Sequence, residues 1–192
     1  MSQDFAGRVS LLHADAAREA AERVGVVQQL AELNIFRTLL HQPDVAKCVN
    51  DLLVTLLLRG GLDARLRELV IMRLGWATAS DYEWNQHWRV AREMGISSED
   101  LLAVRDWRDS DRFDPADRAV LAATDETLAH GAISSETFAA CERHVGGPAV
   151  LVELVVAVGT WQMISTIARS LAVPLEAGLS PWPPDGKGPT GE

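Results

Sequence analysis

LRGGLDARLRELVIMRLGWATASDYEWNQHWRVAREMGIS, residues 58–97, carries two helices back to back with legible ends. Gly60-Gly61 breaks whatever precedes them. Asp63 stands at an N-cap position, where a carboxylate accepts from the free N–H groups of a first turn. The first helix is predicted from residue 65 to about 79. Between Leu69 and Ala79 its only charge is Arg73, so nearly every face is apolar and must be surrounded. The second helix is predicted from about residue 81 to 94, stopped by Gly95. On it Glu83 and His87 are four apart and share a face. Ser80 joins that face if the helix has already begun. Trp84 and Trp88 form a parallel stripe, and Trp76 lies one helix back.

Outward from this stretch the same signals repeat. Pro43 suits the first turn of a helix that ends at Gly60-Gly61. Ser97 with Asp100, Asp114-Pro115 and Ser134 each open a further helix, the last two ending near His130-Gly131 and Gly146-Gly147. Pro148 starts a long apolar helix that must end before Pro174. Residues 9–24 form a weaker amphipathic helix, and residues 30–41 another. No run alternates apolar and polar residues as a half-buried strand would. The expectation is an all-α compact bundle in a single domain over residues 1–180, with N-terminal helices in 8–41 and a core in 43–171. Residues 181–192, PWPPDGKGPTGE, form a Pro/Gly-rich tail expected to trail across the surface with Trp182 tucked against it. Two nearly all-apolar helices in so small a domain also predict a homo-oligomer with a helical interface.

The totals exclude several classes. The 192 residues carry a net charge of -9, and no stripe of Lys and Arg is present to neutralise phosphates, so no nucleic acid and no anionic membrane is an expected partner. The run 148–171 is long enough to span a bilayer, but Glu153 lies inside it, where an acid is costly, so it reads as a core or interface helix. The start of the chain, with Asp4 and Arg8, is polar. Cys48 and Cys141 stand isolated, with neither zinc nor redox spacing, and are expected to be reduced. The localisation expected on these grounds is cytoplasmic.

Chemistry points to one place. A carboxylate beside an imidazole fixes the ring's tautomer and raises its basicity, and this is the pairing that general acid–base catalysis uses. Several positions keep a structural alternative. Ser80-x-x-Glu83 is also the pattern of a capping box. Glu68 could pair with Arg65 or Arg67 at the surface, and Arg73 could be an ion-pair partner. Two carboxylates and an imidazole are the donor types of an open metal triad, but the second Glu-x-x-His of a di-iron bundle is missing from the sequence.

The stretch 58–97 resembles the carboxymuconolactone decarboxylase-like family, whose fold is also called AhpD-like. The resemblance covers roughly residues 43–130 and is supported by the ending AVPLEAGLSPWPPDG. Its motif is a Glu on the first core helix followed by positions 12, 15 and 19 residues later, here Glu68, Ser80, Glu83 and His87. In the peroxide-reducing branch, positions 80 and 83 are both cysteines. Ser and Glu stand there instead, so the thiolate attacker and resolving thiol of that chemistry are missing from the motif. The chain is similar to the branch lacking the CxxC pair.

The resemblance implies a cofactor-independent lyase that decarboxylates a small cyclic or unsaturated carboxylic acid of the lactone type. His87 would donate or shuttle the proton, Glu83 would tune it, and Glu68 would orient it or act as a second acid. Ser80, Trp84, Trp76 and Met72 would line the substrate, and Arg73 would receive its carboxylate. No metal and no organic cofactor is required by such a step. An isomerase, cyclase or hydrolase on the same residues stays open, as does a non-catalytic oligomer that binds a small ligand. The last predicts Glu68 and His87 exposed and apart.

Overall fold

The helix caps legible in the sequence are made as hydrogen bonds in the computed structural model, which describes residues 7–189. The polar start around Asp4 and the last three residues of the tail lie outside the described residues. Asp63 accepts from the N–H groups of Arg65 and Leu66 and opens α5 (Ala64–Ala77). Ser97 accepts from Asp100 N–H and opens α7 (Ser98–Ala103), and Ser134 accepts from Thr137 N–H and opens α9 (Ser135–His144). Asp114 and Asp117 cap α8 (Pro115–His130) reciprocally. Each such cap contributes about 1 kcal/mol. The other helices are α1 (Ala14–Val24), α2 (Gln28–Ala31), α3 (Asn34–Leu39), α4 (Pro43–Leu58), α6 (Asp81–Glu93) and α10 (Pro148–Ser170). Among the described residues there is no strand, and the architecture is all-helical.

The N-terminal segments differ from expectation because other parts of the chain take their hydrogen-bonding groups. The first helix begins at Ala14, not near residue 9. Upstream of it, Arg8 N–H donates to Leu171 C=O, Leu12 N–H donates to Arg37 C=O, and Leu12 C=O accepts from Arg37 Nε. The helix expected over 30–41 is split into α2 and α3. At the break, Asn34 N–H donates to the Glu176 carboxylate and its side chain donates to the carbonyls of Pro174 and Leu175. A 3-10 turn, Val104–Asp109, follows α7 and is not signalled in the sequence.

The chain packs as two compact units. One comprises Met1–Arg59 with Thr166–Leu179, and so holds α1 to α4. The other comprises Gly60–Ser165 with Ser180–Glu192, and holds α5 to α9 and most of α10. At the centre of the second unit lies α5, packed against α6 and α8. Its Leu69, Val70, Ile71, Met72 and Leu74 are all 0% exposed, so the helix is surrounded as its composition demands. Burying each of these side chains contributes about 1.5–3 kcal/mol.

In α10 the apolar sequence divides into two faces. Leu151, Leu154, Ala157, Val158, Trp161 and Ile164 are buried, whereas Val152, Val155, Val156 and Met163 are exposed. By length and composition this is the one described helix that could cross a membrane. Its acid has a local use: Glu153 accepts from Gly61 N–H at 2.6 Å and Leu62 N–H at 3.0 Å, ahead of α5. A Cβ at Gly60 would meet Glu153 Oε1 at 1.8 Å, so a side chain there would displace this carboxylate.

Instead of trailing, the C-terminal segment is tied down within the second unit. Asn85 donates to Ser180 C=O, Trp182 N–H to Asp81, and Trp84 Nε1 to Pro183 C=O. Asp185 forms a two-pronged ion pair with Arg105, whose guanidinium holds the Asp185 carboxyl down at about 2. Polar groups on α6 and on the 3-10 turn hold a segment that has no apolar periodicity of its own.

Candidate active site

The site is built where α5 turns into α6. Ser80 N–H returns to Gly75 C=O and Ala79 N–H to Trp76 C=O, closing the end of α5 in a Schellman turn. The left-handed position of that turn is Ala79, at φ 53°. The two helices approach closely at Gly75, where an added Cβ would lie 3.2 Å from the backbone nitrogen of Trp84 and 3.5 Å from Glu83 Cβ. A side chain at 75 would therefore press α6 away at the residue that carries the carboxylate.

Glu68 from α5 and His87 from α6 meet across this contact. Nδ1 of His87 lies 2.8 Å from Glu68 Oε2, and Nε2 lies 3.9 Å from Glu83 Oε2. The Glu68 side chain is 0% exposed, Glu83 4% and His87 12%, so the imidazole is the member that solvent reaches. Arg67 Nε stands 3.4 Å from Glu68 Oε1. The three expected catalytic residues are thus brought together. The two carboxylates sit against opposite nitrogens of one ring, so they bridge through the imidazole and do not surround a common point. Among the described residues no group of three or more His, Cys, Asp or Glu is arranged to hold a metal ion.

Burial on its own disfavours the imidazolium. The Glu68 carboxylate, as charge and as hydrogen-bond acceptor, and then the Glu83 carboxylate outweigh burial and the opposing charge of Arg67, and His87 is held above its ordinary 6.5.

Ser80 is the N-cap residue of α6, but its side chain makes no capping bond, so the capping-box alternative for Ser80 and Glu83 does not form. Its hydroxyl is buried and has no hydrogen-bond partner among the described residues. Glu68 Oε1 likewise accepts none there.

The remaining expected substrate contacts lie differently. Arg73 donates from Nε and Nη2 to Asp125, and from Nη1 to the carbonyls of Val104 and Arg105. Burial would raise Asp125, but Arg73, Trp107 and Arg108 outweigh it and hold the carboxyl below its usual range. A guanidinium so engaged is a structural tie, which takes Arg73 out of the role of substrate-carboxylate receptor. Trp76 and Trp84 pack on each other and on Trp182, with the Arg105 guanidinium 4.5 and 5.0 Å from their ring centres. They form the bed of the C-terminal segment. Met72 is fully buried on α5, one turn after Glu68.

One residue of the site escaped the sequence reading. Trp161 of α10 donates its indole Nε1–H to Nε2 of His87 at 3.1 Å. A tryptophan in an apolar helix carries only the signal of a core residue; its contact with a ring 74 positions earlier has no local signature.

Residues 43–126 match the model of the carboxymuconolactone decarboxylase family. That segment is a carboxymuconolactone decarboxylase family segment. It contains Glu68, Ser80, Glu83 and His87, while Trp161 lies beyond it. A comparison with curated proteins finds no match. Solved structures share the fold. An alkylhydroperoxidase AhpD core protein from Ralstonia eutropha, described as peroxidase-related, superposes with a TM-score of 0.76 at 19% identity, over 89% of this chain and 93% of its own. The debrominase Bmp8 in complex with 2,3,4-tribromopyrrole gives 0.71 at 17% identity, over 91% and 95%. A peroxidase-related protein from Silicibacter gives 0.70 at 14%, over 85% and 84%. At these identities the likeness shows the AhpD-like fold and leaves the reaction to the site.

Proposed function

We propose that this protein is a cofactor-independent enzyme that decarboxylates a small cyclic or unsaturated carboxylic acid, with His87 as the proton donor. The observation that carries this reading is an imidazole held between two buried carboxylates, 2.8 Å and 3.9 Å away, with its own edge reaching solvent. When the bond to the departing carboxylate breaks, its electron pair moves through the unsaturated system onto a carbonyl oxygen. A proton from His87 Nε2 then goes to carbon, carbon dioxide leaves, and solvent restores the proton. Burial of the site favours loss of the charged carboxylate, and Glu68 and Glu83 favour the protonated, donating form of the imidazole. The buried Ser80 hydroxyl, without a partner among the described residues, would donate to the developing oxyanion if the substrate displaces what covers it.

The non-catalytic alternative requires Glu68 and His87 to be exposed and apart, and their convergence speaks for an enzyme. Thiol-dependent peroxide reduction requires cysteines in the motif, where Ser80 and Glu83 stand. A second acid–base reading, an isomerase, starts from the neutral ring, the form that the indole bond to Nε2 selects; Nε2 abstracts a proton as that bond opens. We also place a second copy of the chain on the exposed stripe Val152, Val155, Val156 and Met163. Sedimentation of Val155→Glu as a smaller species than the unaltered protein is the expected check.

The test is carbon dioxide release from a panel of unsaturated lactone acids and β-keto acids, without added metal or thiol. Release that disappears in His87→Ala is expected. No release across the panel from folded protein, with solvent deuterium entering one of the acids, would replace the lyase by the isomerase.

A further inference from the structure

Trp161 poses a question of proton placement at His87. An indole nitrogen can only donate, so Nε2 must present a lone pair to receive its N–H at 3.1 Å. The proton of the neutral ring is then on Nδ1, pointing at Glu68 Oε2. A protonated ring has no lone pair for Trp161. Its Nε2–H faces the charge of the Glu83 carboxylate, whose Oε2 lies 3.9 Å away, an ion-pair distance longer than a hydrogen bond. The two rings stand nearly perpendicular, at 82°, and the Trp161 residue is 1% exposed, so the donor is held in place by packing.

The groups facing the imidazole come from three helices: Glu68 and Arg67 from α5, Glu83 from α6 and Trp161 from α10. The two carboxylates favour the cation and Arg67 opposes it. The indole bond goes to the neutral ring alone, so it too opposes the cation. We propose that Trp161 is a positioning residue that fixes the Nδ1–H tautomer of His87 and competes with Glu83 for Nε2. Its consequence for turnover rests on the acid–base reading above. With two carboxylates alone, the imidazolium would hold its proton more firmly. The indole takes up the lone pair as the proton leaves, which makes Nε2 the nitrogen that gives and regains it.

The tautomer can be read without any substrate. In the full chain labelled with nitrogen-15, long-range proton–nitrogen spectra of His87 across a pH series should show the neutral ring protonated at Nδ1. The Trp161 indole N–H resonance should move with the His87 titration, and in Trp161→Phe, which keeps the ring packing and loses the donor, His87 should titrate at higher pH. A neutral ring protonated at Nε2, an indole signal indifferent to the titration, or an unchanged midpoint in the variant would each overturn the proposal. The unaltered protein supplies the first two measurements if the variant does not fold. These outcomes are separate from carbon dioxide release: the nitrogen pattern with no release would discard the lyase and keep the role of Trp161, and release without the pattern would do the reverse.

Discussion

Replacing Glu68 by Gln keeps the shape of the side chain and removes its charge from the fully buried position 2.8 Å from His87 Nδ1. A hydrogen bond to a charged partner contributes about 1.5–3 kcal/mol, and breaking a buried ion pair costs up to about 3–5 kcal/mol. The lower range applies here, because the imidazole can give up its proton and leave no uncompensated charge. The sign with pH follows from the direction of the shift. His87 is raised above its ordinary 6.5 in the folded state, so its contribution is fully present below that value and is lost as pH rises through the folded value. Glu68→Gln should therefore lose about 2 kcal/mol near pH 6 and progressively less toward pH 9. In melting temperature the larger loss is about 4–8 °C for a chain of this size. Thermal unfolding followed by tryptophan fluorescence at both pH values makes the comparison. A loss of the same size at both, or a variant as stable as the unaltered protein at pH 6, would refute the reasoning.

Three further outcomes are expected. Ala79→Gly should stabilise the protein by about 0.5–1 kcal/mol in urea unfolding, because it removes the cost of a left-handed alanine. The equivalent turns after α1 and α6 already hold Gly25 and Gly95 there, at φ 77° and 90°. Arg73→Met should cost about 1.5–3 kcal/mol of stability by removing the charged hydrogen bonds to Asp125, which keeps Trp107 and Arg108, without a selective rise in KM, whereas a substrate clamp would raise KM and leave stability intact. Gly75→Ala should lower kcat more than stability, since its Cβ meets the Trp84 backbone at 3.2 Å and must shift α6 at Glu83. A loss confined to stability would separate Gly75 from the site.

The all-helical class and most helix ends were legible because their causes are local. A carboxylate or hydroxyl two or three residues ahead of a free N–H caps a helix wherever the chain folds, as at Asp63, Ser97 and Ser134. Where expectation failed, the competing partner was distant: Glu176 carries off the N–H of Asn34, and Arg37 engages both backbone groups of Leu12. Helical spacing likewise placed Glu83 and His87 on one face, and family resemblance added Glu68.

By itself, then, the sequence determined most of the helices and caps and the acid–imidazole pairing on α6, since each depends on contacts within a turn or two. Tertiary structure alone decided what those groups face. It paired Arg73 with Asp125, tied the Pro-rich segment down over Trp76 and Trp84, and turned the Trp161 indole onto Nε2 of His87. These contacts join residues dozens of positions apart. They follow from which side chains fill the space between packed helices, and that is a property of the assembled core with no periodic trace along the chain.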